Sequence, residues 1–246
     1  MAQTLPDHER PWEPYPVEII GEVVSGDRRM RALALLDRGT KRAIDVVLAS
    51  LLLVVLWPLL LAIAVAIRLT STGPALFHQL RVGYRLRPFV ILKFRTMYQD
   101  NDDAVHRAYV RTMLTGEAMP ADPGRGIYKL TDDPRVTAIG RLLRRTSLDE
   151  LPQLLNVVRG HMSLVGPRPV LPWEAELFEP GYRVRFAVKP GMTGLWQVSG
   201  RSVLTMQQAL DLDVSYVRHR NLALDLVTLL RTIVVVFSSR GACQSR

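Results

Sequence analysis

One stretch dominates the hydrophobic profile of the chain. From Val46 to Ile67 it reads VVLASLLLVVLWPLLLAIAVAI, interrupted only by Ser50 and Pro58. A run of this length is enough for a helix that crosses a membrane. Pro58 argues for another path. It has no N–H to donate and its ring collides with the carbonyl of Val54, so the helix should bend or break near its middle. At about 1.5 Å per residue the arm Val46 to Trp57 reaches roughly 18 Å and the arm Leu59 to Ile67 roughly 14 Å, against a hydrocarbon core of about 30 Å. Neither arm spans alone. Both flanks are also basic, with Arg38, Lys41 and Arg42 before the run and Arg68, Arg81, Arg85 and Arg87 after it. Charge asymmetry therefore marks no translocated side. The pattern predicts a re-entrant hairpin that enters and leaves on the cytoplasmic side, interrupted at Ser50 and Pro58, with a straight span as the alternative. Ahead of it, Arg28 to Ala43 suits a basic amphipathic helix, apolar at Met30, Leu33, Leu35 and Leu36.

After Arg68 the sequence turns polar and is punctuated by glycine and proline. Ala75 to Gln79 and Phe89 to Phe94 read as short strands either side of the basic loop Arg81 to Arg87. Gln99 to Gly126 shows no clear period and reads as a loop with a variable helix. Thr137 to Arg145 suits a short helix with Ile139, Leu142 and Leu143 inward and Arg141, Arg144 and Arg145 outward. Leu151 to Arg159 reads as a second helix, with Gly160 as its stop. The last apolar stretch, Leu222 to Phe237, contains Asp225 and Arg231 and is shorter than a span, which makes it a core or interfacial helix. The fold class that follows is α/β: a membrane-associated single domain with an N-terminal re-entrant membrane helix hairpin. Residues 1–36 form a flexible tail, 37–69 the amphipathic and re-entrant membrane helix, and 70–246 a cytoplasmic catalytic domain with interfacial helices.

Charge narrows the partners. The formal net charge of +9 favours something anionic: nucleic acid, an acidic membrane surface or a phosphorylated substrate. The only cysteine, Cys243, excludes a disulfide framework or a cysteine-rich metal site within one chain. The first 36 residues hold Pro6, Pro11, Pro14 and Pro16 among scattered charges and lack the pattern of a secretory signal. No P-loop, GxGxxG or HExxH motif occurs.

The richest chemistry lies in Arg144-Arg-Thr-Ser-Leu-Asp-Glu-Leu-Pro-Gln153, where Asp149 and Glu150 are adjacent carboxylates behind Arg144 and Arg145. Ser147 with Glu150 matches an S-x-x-E capping box and Pro152 suits a first helical turn, so the segment could be purely structural. Capping needs neither Asp149 nor the arginines. A carboxylate held ionised by a helix N-terminus and nearby guanidinium groups can also attack phosphorus. In Ser163-Leu-Val-Gly-Pro-Arg-Pro169, Pro167 and Pro169 fix the backbone around Arg168 and make it a rigid fork for phosphate. In Lys93-Phe-Arg-Thr-Met97, an extended backbone points Lys93 and Arg95 the same way, although such alternation is often a wet strand face. Thr131-Asp-Asp-Pro-Arg135 is a turn or a contact to metal and base. Lys189-Pro-Gly-Met-Thr-Gly194 and Trp196-Gln-Val-Ser-Gly-Arg201 are glycine-rich turns around an aromatic, either a rim for a base or an ordinary hairpin. Two carboxylates could serve a Mg²⁺ ion and a nucleophile, and the arginines and lysines a diphosphate.

From Lys41 onward the chain resembles the bacterial sugar transferase family, the monotopic phosphoglycosyl transferases that prime exopolysaccharides and other surface glycans. The resemblance is carried by Lys41-Arg-Ala-Ile-Asp45, the proline-broken apolar run, Gly73-Pro74, Gln79-Leu-Arg-Val-Gly83, Lys93-Phe-Arg-Thr-Met97, Asp133-Pro-Arg135, Thr146-Ser-Leu-Asp-Glu-Leu-Pro-Gln153, Gly166-Pro-Arg-Pro169 and Pro190-Gly-Met-Thr-Gly194. It implies that Asp149 attacks the sugar-proximal phosphate of a UDP-sugar, expels UMP and forms an aspartyl phosphosugar, which polyprenyl phosphate then attacks. Glu150 would assist the metal or the acceptor, Mg²⁺ would neutralise the diphosphate, and Lys93, Arg95 and Arg168 would hold phosphates or uridine. The matched motifs add Thr96, Asp133, Arg135, Arg144, Arg145, Gln153, Pro167 and Pro169 to the substrate site, and Asp149 with Glu150 to the metal. The implied setting is the cytoplasmic face of a bacterial inner membrane, with anionic lipids as partners, no nucleic acid, and room for a homodimer. One departure stands out: some members place serine before the breaking proline, where this chain has Trp57. The rival readings are a glycosyltransferase that releases UDP, and a non-enzymatic basic protein that binds membrane or nucleic acid and leaves Asp149 and Glu150 without a task.

Overall fold

A computed structural model describes residues 28–98, 135–200 and 204–237, with side chains from residue 39 onward. The expected loop and helix at Gln99 to Gly126, the tail up to residue 27, and Asp133 and Cys243 lie outside the described residues.

Helix α1, Arg28–Thr70, begins at the arginine expected to open the amphipathic segment and carries Pro58 inside it. The helix does not end at Pro58. A proline removes one ladder hydrogen bond, and the apolar residues on either side carry the helix past it. The stretch Gly39–Thr70 is long and apolar enough to cross a membrane by length and composition. Its two ends are seated on one globular body. Near the start, Ala49 packs with Leu154, Val157 and Tyr216, and near the end Ile63 and Ile67 pack with Phe94 and Leu143. Between them Val54, Val55 and Trp57 are 72%, 62% and 59% exposed, which no aqueous core would tolerate for three large apolar residues in a row of neighbours.

Strands β1, Leu76–Val82, and β2, Pro88–Phe94, form an antiparallel hairpin in register from Leu76 opposite Phe94 to Val82 opposite Pro88. The basic loop closes it through Arg85 and Leu86, both left-handed at φ of 55° and 59°. Helix α2, Ala138–Thr146, is capped by Thr137, whose side chain accepts from the Gly140 N–H. Leu143 is buried and Ile139 partly so, but Leu142, expected inward, is 58% exposed. At 100° per residue, adjacent leucines cannot share one face, and the Ile139–Leu143 pair at i, i+4 takes the core. Helix α3, Gln153–Val158, ends as expected at Gly160, which is left-handed at φ of 87°. It docks on β2 through Asn156, which accepts from the Leu92 N–H at 3.0 Å and donates to the Val90 carbonyl at 2.7 Å, in place of a neighbouring strand.

Strand β3, Ser163–Val165, runs parallel to β4, Gly191–Thr193. Short helices α4, Pro172–Glu176, and α5, Leu195–Val198, flank a 3₁₀ segment, Pro180–Ala187. Helix α6, Met206–His219, is opened by a Thr205–Gln208 capping box and buries Met206, Ala209, Leu210, Tyr216 and Val217. Helix α7, Leu222–Phe237, does the opposite. It buries Asp225 and Thr228 and exposes Leu226, Leu230, Ile233 and Val234. The result is a mixed helix and sheet single domain carrying one long apolar N-terminal helix.

Candidate active site

The segment from Arg144 to Gln153 folds as a corner between two helices. Ser147 is left-handed at φ of 58° and closes α2, its N–H bonding to the Leu143 carbonyl. Its side chain caps nothing, so the S-x-x-E pattern is not a capping box here. The local reason is conformational: a residue spent on ending one helix in the left-handed region is not in the extended geometry an N-cap needs. Leu148–Glu150 then make one 3₁₀ turn, which presents Asp149 and Glu150 half-buried in front of α3.

Glu150 goes across the fold instead. Its Oε1 accepts from Lys93 Nζ at 2.9 Å and from Arg168 Nη1 at 3.3 Å. Three residues drawn from a strand, a 3₁₀ turn and a loop, far apart in the chain, thus meet on one oxygen. Their side chains retain 15% to 19% exposure, so the cluster is largely desolvated without being sealed from solvent. Burial lowers the Lys93 pKa, with Glu150 opposing the shift and Arg168 adding to it. Asp149 is the chain neighbour of Glu150 on the same 3₁₀ turn. Charge-assisted hydrogen bonds of this kind are each worth roughly 1.5 to 3 kcal/mol.

The remaining expected residues divide. Arg144 Nε donates to Thr96 Oγ1 at 2.9 Å, joining α2 to the end of β2. Arg145 is exposed. Arg95 lies on the same strand face as Lys93 but serves the end of α1, donating to the carbonyls of Ser71 and Thr72 and to Ser71 Oγ. Arg135 is half-buried, its carbonyl accepting from the Tyr98 N–H. Gln153 is buried, and its Nε2 finds no hydrogen-bond partner among the described residues. Ser50 and Pro58 remain on α1, away from this cluster in the chain.

Pro167 and Pro169 are buried, and their loop is pressed against the Pro190 to Gly194 turn. The Gly191 N–H bonds to the Pro167 carbonyl and the Gly166 N–H to the Thr193 carbonyl, both at 2.9 Å. A Cβ on Gly166 or Gly194 would stand 2.5 Å from facing backbone oxygen, so these glycines are required by close approach. Two further arginines shape the loop: Arg81 donates to the Pro169 carbonyl and Arg185 to the Arg168 carbonyl. Arg81 lies in a matched motif; Arg185 stands in the alternating run Tyr182-Arg-Val-Arg-Phe186, whose pattern does not say which partner it meets.

Comparison with known proteins agrees with this arrangement of motifs. The family described as bacterial sugar transferase matches residues 36–239. The exopolysaccharide production protein ExoY of Sinorhizobium fredii is 40% identical over 203 residues, covering 82% of this chain and 88% of that protein. A UDP-glucose:undecaprenyl-phosphate glucose-1-phosphate transferase of Caulobacter vibrioides is 42% identical over 212 residues, 82% of this chain and 71% of the relative. An undecaprenyl-phosphate galactose phosphotransferase of Salmonella typhimurium is 37% identical, matching 84% of this chain but only 42% of its own longer length. With its motifs in family order and the family match running through nearly all of the described fold, the chain belongs to the bacterial sugar transferases.

Proposed function

We propose that this chain is a polyprenyl-phosphate sugar phosphotransferase that moves a sugar 1-phosphate from a UDP-sugar to undecaprenyl phosphate and so starts an exopolysaccharide or another surface glycan. The observation that carries the reading is the convergence of Lys93 and Arg168 on Glu150, which shares one 3₁₀ turn with Asp149. The relatives' names supply the donor and acceptor classes.

In the proposed reaction an oxygen of the Asp149 carboxylate attacks the sugar-proximal phosphorus. The bond from that phosphorus to the bridging oxygen breaks and UMP leaves with the electron pair. A phosphate oxygen of the lipid then attacks the same phosphorus and releases Asp149. Lys93 and Arg168 exchange Glu150 for the donor's phosphate oxygens and stabilise the charge that builds on them. Among the described residues no group of three or more His, Cys, Asp or Glu side chains gathers to hold a metal. Asp149 and Glu150 nevertheless fit Mg²⁺, which commonly takes one or two protein carboxylates and completes its shell with substrate phosphates and water. Bound there, the ion would neutralise diphosphate charge.

The same reading places the catalytic domain on the cytoplasmic face of the inner membrane. Arg42 donates to the carbonyls of Val157 and Val158 at one end of α1, and Arg95 holds Ser71 and Thr72 at the other. Two ends tied to one domain support a helix that dips into the membrane and returns, and the apolar outer face of α7 supports a second contact lying in the interface. Product analysis tests the reaction class. Purified protein given a panel of UDP-sugars, undecaprenyl phosphate and Mg²⁺ should release UMP; release of UDP would make it a glycosyltransferase instead.

A further inference from the structure

Three successive carbonyls around Arg168 are each held by a donor from a different element. Pro167 accepts from the Gly191 N–H of β4, Arg168 from Arg185 in the Pro180–Ala187 segment, and Pro169 from Arg81 of β1. The middle donor is unusual. Arg185 and Asp213 of α6 are 4% and 2% exposed, and one nitrogen, Arg185 Nη2, donates both to Asp213 Oδ2 at 2.6 Å and to the Arg168 oxygen at 2.8 Å. The guanidinium lies over the rings of Phe178 and Phe186, 5.1 and 5.8 Å from their centres.

As a source of stability this pair is poor. Desolvation of two charges offsets most of their attraction, and apolar residues of similar volume often serve as well or better. Here Arg185 Nε and Nη1 and Asp213 Oδ1 find no hydrogen-bond partner among the described residues, which adds to the cost. What the arrangement does supply is direction. Asp213 and two aromatic rings fix the guanidinium, and the fixed guanidinium aims one N–H at a carbonyl flanked by Pro167 and Pro169, which have no N–H, while the Leu171 N–H bonds to Glu174 Oε2.

We propose that Arg185 and Asp213 are a positioning pair for Arg168, locking its backbone so that its side chain reaches the Glu150 oxygen and the donor phosphate that replaces it. The inference rests on the phosphate-binding role proposed above for Arg168. It assigns to the pair no contact with substrate.

The test is a cycle on the full chain in detergent or nanodiscs, reading the melting temperature and the single-turnover rate of UMP release from UDP-sugar with Mg²⁺. Replacing the pair together, Arg185→Met with Asp213→Leu, leaves no lone buried charge, so the melting temperature should stay near that of the parent. The UMP-release rate should fall roughly 10-fold to 100-fold, the scale expected when a reacting group is misplaced by about an ångström. In an Arg168→Ala background the same double replacement should change the rate less than about twofold, because the residue it positions is gone. A stable double variant with the parent rate, or losses that multiply in the Arg168→Ala background, overturns the proposal. Should the double variant not accumulate as folded protein, Arg185→Lys carries the same cycle: it keeps the charge but not the stacked fork, and a loss that multiplies with Arg168→Ala again overturns the proposal. A parent rate for Arg168→Ala alone refutes the role of Arg168 itself, and that result is distinct from either of the others.

Discussion

At the start of the long apolar stretch of α1, Lys41 pairs with Asp225 at 2.6 Å and with Asp45 at 3.6 Å. Asp45 also accepts from Ser163 Oγ and the Leu164 N–H, and Tyr216 donates to Asp225 at 2.7 Å. Burial and Asp225 push the Tyr216 pKa well up, so it stays a donor. At the candidate site, by contrast, one oxygen of Glu150 is shared by two cations, with side chains 15% to 19% exposed. The first cluster closes α1 onto β3, α6 and α7, with Asp45 and Asp225 at 5% and 7% exposure. Under the proposed function the second would open by exchanging one anion for another. Charges of the same kinds thus form a rivet where acids are enclosed and multiply bonded, and the proposed receiving site where cations converge on one partly exposed carboxylate.

The largest effect that could break this comparison is on stability. Asp225→Ala leaves Lys41 short of its closest partner and Tyr216 with only the Val165 carbonyl as acceptor, and removing one side of a buried pair costs about 3 to 5 kcal/mol. Denaturant unfolding in detergent should show that loss, while Glu150→Gln, which keeps an acceptor oxygen between Lys93 and Arg168, should cost less. Equal losses for the two would erase the distinction between rivet and receiving site.

Asp213 sharpens the comparison through pH. Burial pushes its pKa up from 3.8 to about 6, against the opposing influence of Arg185. Between those values the folded protein holds a proton that the unfolded chain has released, so this group's contribution to stability falls as pH rises from about 4 to 6 and is flat above. Asp213→Asn should remove that segment from the plot of melting temperature against pH. A segment that persists in Asp213→Asn would assign the titration to another group.

Arg168→Lys keeps the charge and loses the planar fork, so UMP release should slow by about 1 to 3 kcal/mol of barrier with little change in melting temperature. An unchanged rate would move Arg168 out of the receiving site. Thr137→Ala should be smaller and different in kind: loss of the α2 cap costs about 1 kcal/mol of stability and leaves the rate per folded molecule as it was.

Much of this was readable from local pattern. The strands at Ala75 to Gln79 and Phe89 to Phe94, the short helix from Thr137 and the Gly160 stop all rest on short motifs whose chemistry is local. Reading failed where the deciding partner is distant. Lys93 and Arg95 share a strand face, yet one meets Glu150 and the other the end of α1, because different elements lie over positions two residues apart. Ser147 matches a capping pattern, but α2 needs it as a left-handed stop. Arg185 and Asp213 stand 28 residues apart and meet only in the folded chain. Helical continuity through Pro58 was likewise beyond a rule that treats proline as a break.

The central claim is that Asp149 carries the sugar phosphate. Protein mixed with a UDP-sugar and Mg²⁺ but no lipid acceptor should release about one UMP per active site and stop, the burst of a ping-pong enzyme. Intact-mass spectrometry should then show the mass of one sugar phosphate added, localised to Asp149 by peptide mapping, and a folded Asp149→Asn protein should show neither burst nor adduct. Normal turnover by that variant, or an adduct mapped to another residue, would contradict the account.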